Sequence, residues 1–114
     1  MRIKTWKTFE SSQDEWSIKR YGNANVVYYK GVIVGFDDRT IAEEENVKDF
    51  DMWTITLMYS NDIEDSEDML IYVPNYIWQM FDLEDEYDIS PAVKIIAAKM
   101  AENIYRPGFF IKLN

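Results

Sequence analysis

The sequence predicts an α+β domain with a mostly antiparallel sheet of about four or five strands and a C-terminal helix over residues 91–105. Three observations carry that expectation. Residues 53–59, Trp-Thr-Ile-Thr-Leu-Met-Tyr, alternate apolar and polar side chains with a period of two. Residues 26–36 are β-branched or aromatic almost throughout. Val93, Ile96, Ala97, Met100, Ala101 and Ile104 recur at offsets of three and four, the spacing of one helix face. A single domain over residues 1–114 is expected, because two cores would each bury too little surface.

The elements follow in chain order. Residues 15–20 alternate weakly ahead of the turn-forming run Tyr21-Gly22-Asn23-Ala24-Asn25, so an early strand is expected to pair through that turn with the next. Residues 26–36 read as one long, bent strand in which Gly31 or Gly35 marks a bulge or a close backbone approach. In residues 53–59, Trp53, Ile55, Leu57 and Tyr59 share one face and Thr54 and Thr56 the other, as in a half-buried strand. After the acidic connector 60–68, residues 69–73 form a second strand that Pro74 stops, and the two should pair as an antiparallel hairpin. Asn75 is placed to cap a short helix over residues 76–83, with Ile77, Met80 and Phe81 on one face. Ser90 as N-cap and Pro91 at the first helical position open the long helix, and Arg106-Pro107-Gly108 ends it. Residues 109–113 read as a terminal strand.

Charge is distributed far less evenly than apolarity. Seventeen of the 21 carboxylates lie between Asp37 and Asp88, in bursts over residues 37–51, 62–68 and 82–88, with only Arg39 and Lys48 as cations among them. Residues 1–36 carry a net +3, residues 37–88 a net −15 and residues 89–114 a net +3. The bursts fall between expected elements or at their edges, so they should lie in loops. Carboxylates gathered on one face repel one another and destabilise the compact state, and a basic partner relieves that repulsion.

The absence of cysteine removes disulfides, thiolate metal sites and a Cys nucleophile, and the absence of histidine removes the commonest metal ligand and near-neutral acid-base group. No secretory signal pattern or apolar run of membrane-spanning length is present in the sequence, which makes cytoplasmic residence the default expectation and a membrane partner an unexpected one. The calcium loop pattern fails over residues 61–68: counted from Asp62, the sixth position is Glu67 instead of Gly and the twelfth is Val73 instead of Glu. No Lys has an acid two residues before it, so the local arrangement that serves a magnesium-dependent nuclease is missing. The four glycines stand singly, which excludes a phosphate-cradling loop. Neither a catalytic residue, a metal nor a cofactor is expected.

These readings point to a small acidic protein that works by binding. The expected partner is a basic protein surface, on a nucleic-acid-binding protein or a toxin, occluded as a line of phosphates would occupy it. Glu43, Glu44 and Glu45, then Asp62, Glu64, Asp65, Glu67 and Asp68, then Asp82, Glu84, Asp85 and Glu86 supply the charge. Phe50, Trp53, Tyr76 and Trp78 supply the desolvated anchor, since charge sets on-rate while buried aromatics carry affinity. In composition alone the chain is similar to phage-encoded inhibitors and nuclease immunity proteins. An alternative is a small single-strand nucleic-acid binder that gathers Arg2, Lys4, Lys7, Lys19, Arg20 and Lys30 around tyrosine platforms. A further alternative is a self-assembling subunit that pairs through residues 109–113.

Overall fold

The computed structural model describes residues 15–62, 64–83 and 88–114. Six strands run β1 (Trp16–Tyr21), β2 (Ala24–Tyr29), β3 (Val32–Phe36), β4 (Phe50–Met58), β5 (Ser66–Pro74) and β6 (Phe110–Leu113), with helices α1 (Thr40–Glu44), α2 (Ile77–Met80) and α3 (Ser90–Ile104) between them. They form one sheet in the order β1-β2-β3-β5-β4-β6, and each adjacent pair is antiparallel. The α+β class and the C-terminal helix are as expected, but the sheet has six strands instead of four or five.

The expected bent strand over residues 26–36 is a hairpin. Lys30 and Gly31 both take positive φ, 52° and 78°, the signature of a two-residue type I′ turn whose twist matches that of its strands. Ahead of it, Gly22 at φ 60° opens the two-residue turn that joins β1 to β2. The bulge is also present, since Val27 pairs with Gly35 and Tyr28 with Ile33, leaving Val34 as the extra residue. Gly35 marks the close approach: a Cβ there would stand 2.6 Å from Ile96 of α3 and 3.0 Å from Ile71 of β5.

Period-two alternation sorts the side chains onto two faces. Val27, Tyr29, Val34, Ile55, Leu57, Met69, Ile71 and Val73 face α3, which returns Ala92, Val93, Ile96, Ala97, Met100 and Ala101 to a common core closed by Ile77 and Phe81. Burial of those side chains, at about 1.5–3 kcal/mol for a full-sized one, is what holds α3 to the sheet. The opposite face has a smaller core under α1, made of Ala24, Val26, Ile33, Phe36, Ile41 and Ala42, and fringed by Phe50 and Tyr72. That cover stops at β5. Leu70 of β5, Met52 of β4 and Phe110 of β6 are exposed.

α1 falls in the first acidic burst, which was expected to be loop. Asp38 starts it, its carboxylate accepting from the amide and hydroxyl of Thr40 at 3.0 and 2.9 Å. The expected short helix over 76–83 is a single turn, Ile77–Met80, and Asn75 makes no side-chain cap to it. Both short helices end alike: the amides of Asn46 and Val47 bond back to Glu43 and Ala42, those of Asp82 and Leu83 to Gln79 and Trp78. Asn46 and Asp82 hold the left-handed position at φ 58° and 49°, a place short polar side chains tolerate. In α3, Ser90 is the first helical residue and Ile89 the cap position, while the Asp88 carboxylate accepts the Ser90 amide at 3.1 Å. Among the described residues no helix is long and apolar enough to cross a membrane.

Candidate acidic interaction surface

The β4–β5 ladder runs from Phe50 opposite Pro74 to Met58 opposite Ser66. At about 3.3 Å per residue its two ends are roughly 26 Å apart. The first burst runs into β4, where Asp51 is a strand residue, at the Pro74 end, and the second spans the turn and the start of β5, where Glu67 and Asp68 are strand residues and not loop as expected, at the Ser66 end, so these two bursts do not converge. Of the third burst Asp82 follows α2 directly, while Glu84, Asp85 and Glu86 lie outside the described residues.

At the Ser66 end four of the five carboxylates are engaged within the chain. Asp65 is paired with the Arg106 guanidinium, which also stacks 3.8 Å from the centre of the Tyr59 ring. Glu67 accepts the Tyr59 hydroxyl at 2.6 Å, and Asp68 accepts the Thr56 hydroxyl at 3.0 Å. Asp62 accepts the Glu64 amide at 3.0 Å and so shapes the turn. Desolvation, then the bond to Glu67, pushes the Tyr59 phenol above its ordinary pKa, so it remains a donor at neutral pH. Glu64 is exposed and open to solvent.

The first burst divides differently. Asp37 is structural, accepting both the amide and the side-chain nitrogen of the buried Asn25 at 2.7 and 2.8 Å. Asp38 is structural too, and its bonds from Thr40 hold it below the usual carboxylate pKa. Glu43, Glu44, Glu45, Asp49 and Asp51 are exposed, and among the described residues none of their carboxylates takes part in a hydrogen bond or ion pair. An open groove lies beside them, lined by Asn46, Val47, Lys48, Asp49, Asn75, Tyr76, Trp78 and Gln79. The fold therefore brings Tyr76 and Trp78 to Asp49, and a neighbouring groove that shares Asn46, Val47 and Lys48 reaches Glu43.

The other two aromatic candidates are built into the protein. Phe50 sits edge-on to Phe36 and Tyr72 at ring separations of 5.5 and 5.7 Å. Trp53 packs against the main core with Nε1 buried, as its place in the period-two run with Ile55 and Leu57 implies. Tyr76 is 38% exposed, but its hydroxyl donates to the Ile33 carbonyl at 2.6 Å, so the ring is held in place. This pinning had no signal in the sequence, because it depends on which strand β3 adjoins.

Of the basic candidates, Lys19 lies over the Tyr28 ring at 5.1 Å and Lys30 over Tyr29 at 5.5 Å, while Arg2, Lys4 and Lys7 fall outside the described residues. The Tyr28 hydroxyl bonds to that of Tyr21 at 3.1 Å, and burial followed by that bond raises its pKa strongly. Tyr29 is buried, packed between Trp16 and Phe81. Among the described residues no group of three or more acidic side chains is arranged to hold a metal ion. Compared with protein-family models, with curated proteins and with solved structures, the chain matches none.

Proposed function

We propose that this is an acidic binding protein whose partner-facing surface is the Pro74 end: Glu43, Glu44 and Glu45 on the α1 side, next to Asp49 in a groove anchored by Tyr76 and Trp78. The partner is a basic protein surface of the kind that otherwise holds nucleic acid. The observation that supports this reading is the contrast in occupancy, since these carboxylates lack internal partners while four of the five at the Ser66 end have them. Unpaired carboxylates on an exposed helix speed encounter with a cationic surface, and the half-buried Trp78 ring offers apolar area to desolvate on docking. The chain acts by occupying its partner, without catalysis, and the cellular setting is the cytoplasm.

The test is retrieval of partners from the native host at low and high salt, with and without nuclease, followed by association kinetics. A basic protein retained after nuclease and lost in high salt is the expected result. Its association rate should fall about tenfold or more when Glu43, Glu44 and Glu45 become Gln, and should change little when Asp62, Glu64 and Asp65 become Asn, Gln and Asn. Equal loss from both sets would remove the assignment to this end. Nucleic acid in the eluate would favour the single-strand binder.

A further inference from the structure

β6 closes one side of the sheet. Its partner on the inner side is β4, and among the described residues no strand lies on its outer side. The Asn114 amide donates to the Thr54 carbonyl at 3.0 Å. In an antiparallel ladder the direction of the backbone groups alternates, so Phe110 and Lys112 also bond to β4, and the N–H and C=O groups of Phe109, Ile111 and Leu113 face outward. Neither a proline nor an inward charge blunts this edge, and it belongs to the segment 89–114, which carries a net +3.

We propose that β6 pairs antiparallel with β6 of a second copy, about a two-fold axis that passes through Ile111. A two-fold perpendicular to the sheet keeps each face continuous, so it must pair residues of the same parity. Centred on Ile111, the outward groups of Ile111 meet their own copies, and those of Phe109 meet Leu113 on either side. Centred on Lys112, the same geometry uses fewer of the outward groups and sets Lys112 against Lys112, a destabilising like-charge pair. The Ile111 register instead sets Lys112 opposite Phe110, where an ammonium can lie against a ring. It also makes the two Phe110 rings diagonal neighbours, at about 7–8 Å between positions, within reach of aromatic side chains. Phe110 is 53% exposed beside Met58 on the uncovered face, and this pairing is what covers it.

The edge is only four residues long, so the contact falls below the ~1,200 Å² of a standard interface and the dimer is weak. Each copy carries a net charge of −9, so mutual repulsion is screened by salt and the dimer tightens as ionic strength rises. That dependence is opposite in sign to the binding of a basic partner, and neither result bears on the other.

Sedimentation equilibrium of the full chain from about 1 µM to about 1 mM, at low and at high salt, tests the proposal. The expected result is a reversible monomer–dimer equilibrium favoured by salt. Phe110→Lys, at an exposed position, should raise the dissociation constant about tenfold or more by opposing like charges across the axis. Ile111→Pro removes an outward N–H that β4 does not use, and should abolish the dimer while the far-ultraviolet circular dichroism stays that of the unaltered chain. A chain that stays monomeric at high salt throughout that range overturns the proposal. So does a dimer that Phe110→Lys leaves as tight as before.

Discussion

The two ends of the β4–β5 hairpin carry similar numbers of carboxylates and use them in opposite ways. Around the turn, Asp65 is neutralised by Arg106, while Glu67 is held by the Tyr59 hydroxyl and Asp68 by that of Thr56, so these carboxylates are fixed as parts of the hairpin. At the Pro74 end, Asp37 and Asp38 do structural work, but the five acids that follow face solvent, Asp49 among them beside Tyr76 and Trp78. A count of acids along the sequence treats the two ends as equivalent. The number left without an internal partner separates them, and those are the carboxylates whose oxygens are free to accept from an incoming protein.

The comparison rests on a rigid hairpin that keeps the ends apart, so the largest effect should come from loosening its middle. Ile71 is fully buried between the strands and α3, and Ile71→Ala should cost about 2–5 kcal/mol in urea unfolding. A cost under about 1 kcal/mol would mean that the hairpin is not the common frame of the two ends. A smaller effect should separate the ends. Trp78→Ala should weaken partner binding about tenfold, or about 1.4 kcal/mol, with the fold retained, whereas Arg106→Gln should leave binding unchanged and speed amide exchange at Tyr59 and Asp65. The reverse pattern would place the partner at the turn. The smallest effect concerns Asp38. Its folded pKa is lowered, so the stabilisation it provides is complete above the ordinary carboxylate pKa and is lost as pH falls through the lowered value. The amide signals of α1 should therefore shift below about pH 4, and should titrate differently in Asp38→Ala.

Much of this architecture is legible in the sequence where burial is one-sided and the element long. The alternation through Trp53, Ile55 and Leu57, the stop at Pro74 and the stripe from Val93 to Ile104 each translate into an observed strand or helix. α1 escapes that reading because five residues with only Ile41 and Ala42 buried show no helical period. Its local signals were Asp38 two residues ahead of Thr40 and Asn46 at the left-handed closing position, features of turn chemistry. Lys30-Gly31 was a hairpin turn hidden inside a β-branched run, where the run outweighed the glycine. For the surface, the residue types were readable and their grouping was not. Tyr76 and Trp78 meet Asp49 of the first burst only because α2 follows β5 at the end where β4 begins, and strand order is a long-range property. Trp53 could be placed from its period alone, since it shares the face of Ile55 and Leu57.

β3 and β5 are joined by a single register pair, Phe36 with Tyr72, whereas every other adjacent pair of strands shares at least four. The sheet is thus two three-stranded halves with a parting line between them, crossed by the stacked rings of Phe36 and Tyr72 and by the Tyr76 hydroxyl on Ile33. β1, β2 and β3 are linked by two-residue turns, so their contacts are local and close quickly, while the second half awaits the return of β6 from the far end of the chain. Folding should therefore proceed by a fast meander and a slower second half, with the aromatic seam sealing last. Under a pulling force the same line is where the sheet would first divide.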